Sequence, residues 1–452
     1  MGPVNKKKLY LTIIFGCAAA FLFPGLGALY LFLALAGLVI FLIRARAPEA
    51  DKKFLTVMII AIVVTRIVLS LLVMEARGGN LFQDEGLYSK KAIIKVYEWK
   101  GVRNYEEGYY GFFDYDYDFL NPNYGYNAYT YLLSGFYYIF GYQIQAARLI
   151  NGLLCILTFL LIFYMAKELF GLSAAMLSSA IFAFSPSIML WSVSVGVDMS
   201  GILCISAYLF LLIRVLKKFN LGYLLAMAVS LLALASFRGY AVSALIAVTV
   251  IGLCCVTLKR MTKTGRIFLG LLAVLSIILI VNTPLAHVIG EGLKKNIDTV
   301  ISRQGDFATA DDGGYVTFPR HCYEKLDYGF TDLAQAYARG MSYVLFSPFP
   351  WDIGSKLQLM AYPQTILWYF MLPFIIYGFY LGYKKDRLVT STMFLYCFLL
   401  FSILALVEGN MGSLFRHKDM VIPFTFMYFA AGILRAFSGK DPDNKARERF
   451  GS

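Results

Sequence analysis

Residues 54–74 read FLTVMIIAIVVTRIVLSLLVM, and Arg66 is the only charged side chain among these 21. A helix of that length crosses about 30 Å of hydrocarbon. An arginine at such depth either snorkels toward the headgroups or is bound inside a bundle. Runs of the same character recur along the chain, and they decide its class. Of 452 residues, 59% are hydrophobic, 16% aromatic and 15% charged. One soluble core cannot hide that much apolar surface, so lipid must solvate it. Twelve apolar segments can be drawn, at about 9–24, 27–43, 54–74, 146–166, 172–190, 199–216, 220–236, 240–257, 267–285, 362–382, 388–407 and 420–437. The expectation is an all-α polytopic membrane protein of about 12 transmembrane helices. The first two segments are short and read as a hairpin that only partly spans.

Charge placement orients the chain. The net charge of +13 lies mostly in clusters between apolar runs rather than on a continuous basic face, so no nucleic acid is expected as a partner. With a cytoplasmic N-terminus, the inside connections hold KKK, RARAPEADKK, AKE, RVLKKFN, KRMTKTGR, KKDR and the tail KARER. Each carries Lys or Arg, as cytoplasmic loops do. The expected layout is a hairpin and basic linker at 1–53, a transmembrane domain at 54–437 and a cytoplasmic tail at 438–452. Two long loops, 75–145 and 286–361, then face outside. YNAYTYLLSGFYYIFG at 126–141 reads as an interfacial helix. GDFATADDGGYVTFPRHCYEKLDYGF at 305–330 reads as irregular backbone. Cys322 is the one loop cysteine of seven, and neither a disulfide framework nor a zinc-like spacing follows.

The outside face concentrates the polar chemistry. LFQDEGLYSKKAIIKVYEW at 81–99 places Asp84 and Glu85 side by side near the headgroup level. A solvated loop carboxylate is the ordinary reading, because Glu106, Glu107, Asp114, Asp116 and Asp118 share the loop. Asp198 differs: it ends FSPSIMLWSVSVGVD and opens the next span. There a carboxylate is expensive unless it caps the helix or meets water, a cation or a ligand. Arg238, in the short turn of ASFRGYAVSA, and Arg416, His417 and Lys418, in SLFRHKDMVIPF, are cations on the same face. They suit lipid phosphates or the phosphate of a bound ligand. His287 and His321 have no ligand spacing and read as loop histidines.

These features resemble the GT-C glycosyltransferases, such as the protein O-mannosyltransferases and the bacterial lipid A aminoarabinose transferases. QDEGLY at 83–88 matches their acidic motif in the first large outside loop. Residues 126–171 look like their interfacial helix and following span, with Arg148, Leu149 and the closing AKELFG in place. FSPFPWDI, PQTILWYF and GNMGSLFRHKDMVIP look like pieces of bacterial surface-polysaccharide members, and the likeness covers roughly 54–437. NPNYGYNAY stands where such sequences often carry prolines and a histidine, and no large soluble C-terminal domain is expected.

The resemblance implies a cell-membrane enzyme, plasma or inner, that moves a sugar from a polyprenyl-phosphate donor to an extracytoplasmic glycan, lipid or protein. Inversion at the anomeric carbon is implied as well. Asp84 would take the acceptor proton, with Glu85 as helper or neighbour and Asp198 positioning the acceptor or a basic residue. Arg238, Arg416, His417 and Lys418 would stabilise the leaving phosphate. No cofactor is implied; a divalent metal on Asp84, Glu85 and Asp198 is the less favoured option. The rivals are a lipid-linked oligosaccharide flippase, which should show internal repeats that are not seen, and a repeat-unit polymerase. The loop tyrosines suit sugar faces, and equally any membrane interface.

Overall fold

A computed structural model describes residues 24–77, 83–102, 127–260, 284–309, 313–351 and 356–438. Among these residues 17 helices follow one another with no strand, and 86% of the described residues are helical. In chain order they are α1 (Pro24–Arg46), α2 (Glu49–Arg77), α3 (Gln83–Trp99), α4 (Ala128–Phe140), α5 (Ile144–Phe170), α6 (Leu172–Phe184), α7 (Pro186–Trp191) and α8 (Asp198–Lys217). There follow α9 (Leu221–Ala235), α10 (Gly239–Arg260), α11 (Pro284–Thr309), α12 (Arg320–Lys325), α13 (Phe330–Phe346), α14 (Lys356–Lys385), α15 (Arg387–Val407), α16 (Met411–Lys418) and α17 (Ile422–Ser438).

Six of the described helices are long and apolar enough to cross a membrane: Glu49–Val73, Ala147–Phe170, Asp198–Lys217, Gly239–Leu258, Ala361–Lys385 and Arg387–Val407. A seventh candidate is bent by 59° between Met411–Lys418 and Ile422–Phe437. The twelve apolar segments of the sequence therefore map onto fewer full-length spans. Segments 9–24 and 267–285 lie almost wholly outside the described residues. Segment 172–190 is broken because Pro186 has no N–H to continue the ladder, which leaves Leu172–Phe184 as a short apolar helix. Leu221–Ala235 is likewise short.

Two compact units divide the chain: residues 1–211, 224–239 and 433–452 form one, and 212–223 with 240–432 form the other. In the first, α1, α2 and α6 pack around α5, and α3 packs on α4. The α3–α4 contact follows from helical spacing. Tyr88, Ala92, Ile93 and Val96 share one face of α3, and Tyr129, Leu133 and Tyr137 share one face of α4. Asn127 caps α4 by accepting the Thr130 N–H at 3.0 Å. A helix is thus present at 128–140, where the sequence predicts one. Gly171, at φ 87°, supplies the backbone conformation that joins α5 to α6 without a linker.

In the second unit α13 and α14 pack on α15. Gly340 lets α13 lie directly on α15, since a Cβ there would sit 1.8 Å from the Ala405 carbonyl oxygen. Gly378 and Gly432 serve α14 and α17 in the same way, against the carbonyls of Tyr428 and Phe374. The stretch expected to be irregular is so at 313–319, whereas α11 runs through Thr309 and residues 320–325 are helical. Pro319 starts α12 and Leu326, in the left-handed region at φ 50°, ends it.

Gly340→Ala should overpack this contact and cost about 1–3 kcal/mol, read as a lower thermal midpoint in detergent. Gly135→Ala, where a Cβ meets nothing within 4 Å, should leave the midpoint unchanged or raise it slightly.

Candidate active site

The QDEGLY motif opens α3. Asp84 has helical backbone in its first turn, and its side chain lies outside the described residues, as does the FFDYDYDF stretch. Glu85 is described: its carboxylate is buried, 3.5 Å from Nη2 of Arg148 near the start of α5. Arg148 entered the sequence reading only as a landmark; the fold makes it the guanidinium that meets Glu85. One turn further along α5, Asn151 donates its amide N–H groups to the carbonyls of Ser194 at 2.7 Å and Gly196 at 3.0 Å. The loop 192–197 is thereby tied to α5. Its Val195 and Val197 belong to the same buried cluster as Tyr88 and Tyr129. Burial raises the pKa of the Tyr129 and Tyr137 hydroxyls, so both stay protonated.

A second tie comes from α2. Arg66 is fully buried, and the option realised is binding within the bundle rather than snorkelling. Its Nε donates to Ser192 Oγ at 2.8 Å and its Nη2 to the Ala183 carbonyl at 2.5 Å. Nη1 reaches Thr65 Oγ1 at 3.1 Å, and Nη2 also lies 3.5 Å from Cys155 Sγ. The break at Pro186 explains why Ala183 can accept: carbonyls in a helix's last turn have no intrahelical donor. Arg66 therefore holds the end of α6 and the start of the loop together.

Beyond that loop Asp198 begins α8, buried, and its Oδ1 accepts a hydrogen bond from Arg238 Nη2 at 2.8 Å. Arg238 follows α9, its backbone N–H bonded to the Leu234 carbonyl at 2.8 Å. So Glu85 with Arg148 and Asp198 with Arg238 both flank the loop 192–197. At the other end of α5, Lys167 donates to both oxygens of the fully buried Asp51 carboxylate, at 2.6 and 2.7 Å. Arg148 and Lys167 are nineteen residues apart on one helix, which is about 28 Å of rise, close to a bilayer's hydrocarbon thickness.

The remaining sequence candidates belong to the second unit. Glu408 ends α15, Asn410 caps α16 by accepting the N–H groups of Gly412 and Ser413, and α16 carries Arg416, His417 and Lys418. These three cations do not share one environment. His417 is buried with Nδ1 on the Glu408 carboxylate, its ring 5.5 Å from that of Tyr240. Lys418 is buried and donates to the Ser347 carbonyl at 3.0 Å. Arg416 is half-buried. Glu408 is the residue the sequence reading missed. It lies next to the span end, one residue before the quoted motif, and only the fold of the turn brings it onto His417. His321, expected in a loop, is on α12, and His287 has its side chain outside the described residues.

A protein-family model described as dolichyl-phosphate-mannose-protein mannosyltransferase matches residues 128–283, about a third of the chain. The match supports a membrane glycosyltransferase of the GT-C type, the group that the motifs resemble, and it contains Arg148, Asp198 and Arg238. No curated protein and no solved structure matches.

Removing one member of the buried pair leaves its partner's charge in a low-dielectric site. Arg148→Met should therefore cost about 3–5 kcal/mol, measured by thermal unfolding in detergent. The double variant Glu85→Leu, Arg148→Met should lose clearly less than the sum of the two single variants.

Proposed function

We propose that this GT-C-type protein transfers a sugar from a polyprenyl-phosphate donor to an extracytoplasmic glycan, lipid or protein, with inversion. One observation carries the reading: the family match includes the segment whose Arg148, Asn151, Asp198 and Arg238 lie around the 192–197 loop, with Glu85 from the acidic first turn of α3 on Arg148. A sugar-transfer site at a membrane surface needs carboxylates and cations held at one depth, and that end of the first unit supplies both.

The chemistry balances without a metal. The acceptor hydroxyl oxygen attacks the anomeric carbon, and its proton passes to the Asp84 carboxylate. The bond from the anomeric carbon to the phosphate oxygen breaks, and the electron pair leaves with the lipid phosphate, already a stable anion. Fixed cations stabilise that growing charge. Glu85 acts through Arg148, and Asp198 through Arg238. In the second unit Arg416, more exposed than its neighbours, is the first choice for the donor phosphate. His417 and Lys418 shape the same turn through Glu408 and Ser347. The reading places the site on the outer face of a plasma or inner membrane, both termini in the cytoplasm, and counts the short helices among twelve membrane segments. The separation of about 28 Å between the polar ends of α5 supports that depth assignment.

Purified protein given labelled polyprenyl-phosphate sugars and candidate acceptors should release free lipid phosphate and form a glycosylated product. Asp84→Asn should lower turnover by about 10²-fold or more while lipid-phosphate binding is retained. Full activity in that variant would remove Asp84 as the base. Arg416→Ala should raise the donor KM by about tenfold or more, the worth of one charge-assisted hydrogen bond. Movement of an intact lipid-linked glycan across vesicles, with no bond broken, would replace the reading with a flippase.

A further inference from the structure

Outside the elements used above, one cluster joins an adjacent histidine and cysteine to an aspartate ten residues on. Helix α12 carries His321 and Cys322, and the turn at Leu326 reverses the chain so that Asp332, in the first turn of α13, comes back over them. One ligand atom from each of the three lies within 4.8 Å of the others. His321 Nε2 is 3.6 Å from Asp332 Oδ2.

We propose that His321, Cys322 and Asp332 bind one Zn2+-class dication that clips α12 to the start of α13. Around a tetrahedral zinc with ligands at about 2.0–2.3 Å, donor atoms stand roughly 3.3–3.6 Å apart. The histidine–aspartate separation already falls there, and a small side-chain rotation brings in the sulfur. The donor set is one nitrogen, one sulfur and one oxygen, which suits zinc and disfavours magnesium and calcium. Cys322 offers its sulfur from the inner side, against Ile301, Phe318 and Ala336, while His321 is half exposed. A cation can therefore enter from solvent past the imidazole, and water can complete the fourth position. Asp332 is already held in place, because its Oδ2 accepts the Gly329 N–H at 2.9 Å. The clip is structural and takes no part in the proposed transfer.

The test titrates full-length protein in detergent with Co2+ as a spectroscopic probe. The expected result is one equivalent bound, with a thiolate-to-cobalt absorption band in the near ultraviolet. That band should vanish in Cys322→Ser, and affinity should fall by about tenfold or more in His321→Ala. His321 is exposed, so its variant keeps the fold even if the buried cysteine variant does not. Zn2+ should raise the thermal midpoint of the wild type and not that of His321→Ala. No band at one equivalent would overturn the proposal, leaving a histidine–aspartate ion pair beside a buried thiol. The same band undiminished in both variants would also overturn it, pointing to exposed Cys254 and Cys255.

Discussion

A guanidinium inside a helical bundle is the constraint around which the first unit is arranged. Desolvating an arginine is tolerable only when its N–H groups meet acceptors, and for Arg66 the acceptors lie on Thr65, Cys155, Ala183 and Ser192. One of them, the Ala183 carbonyl, is open because Pro186 breaks the helix between α6 and α7. The proline creates an open helix end and the arginine closes it. What emerges past that junction is a six-residue loop with little freedom, fastened again by Asn151. Asp198 inherits its position from this arrangement, and Arg238 from Asp198.

The ionic groups at the two ends of α5 divide the work. Lys167 and Asp51 anchor one end, and no chemistry is asked of them. The other end carries the buried Glu85–Arg148 pair and, across the loop, the partly buried Asp198–Arg238 pair, and buried pairs add little net stability compared with apolar replacements. Holding them there is better understood as fixing the position of charge. A phosphate leaving group benefits from charge that is already oriented, because no reorganisation is then needed during the reaction.

Class and the long apolar helices were legible in the sequence because apolar runs obey simple rules of length, whereas α3, α13 and most of α11 fall within stretches expected as outside loops. The α3–α4 pair was half legible: the aromatic spacing of 126–141 marked a helix, but its partner face on α3 is visible only once Tyr88 and Tyr129 meet. Asp198 and Arg238 were singled out separately, forty residues apart, and no local pattern tells that they bond to each other. Arg148 and Glu408 escaped for the same reason, since a buried ion pair is a tertiary event. The adjacent Arg416, His417 and Lys418 looked like one anion site. Successive residues on a helix point about 100° apart, so the fold sends His417 to Glu408 and Lys418 to Ser347. The irregular stretch at 305–330 misled in part, because glycine and aspartate content says little about a two-turn helix set between a proline and a left-handed leucine.

The turn that carries Arg416 is also sewn to a distant segment. Tyr315 donates its backbone N–H to the Gly409 carbonyl at 2.6 Å, and Met411 donates to that of Gly313 at 3.0 Å. Gln304 spans the seam, reaching the carbonyls of both Tyr315 and Glu408. The stiffness of this short turn is therefore borrowed from chain laid down almost a hundred positions earlier. Lengthening or shortening the strip around Tyr315 would retune the aim of Arg416 without touching a single residue of the helix on which it stands.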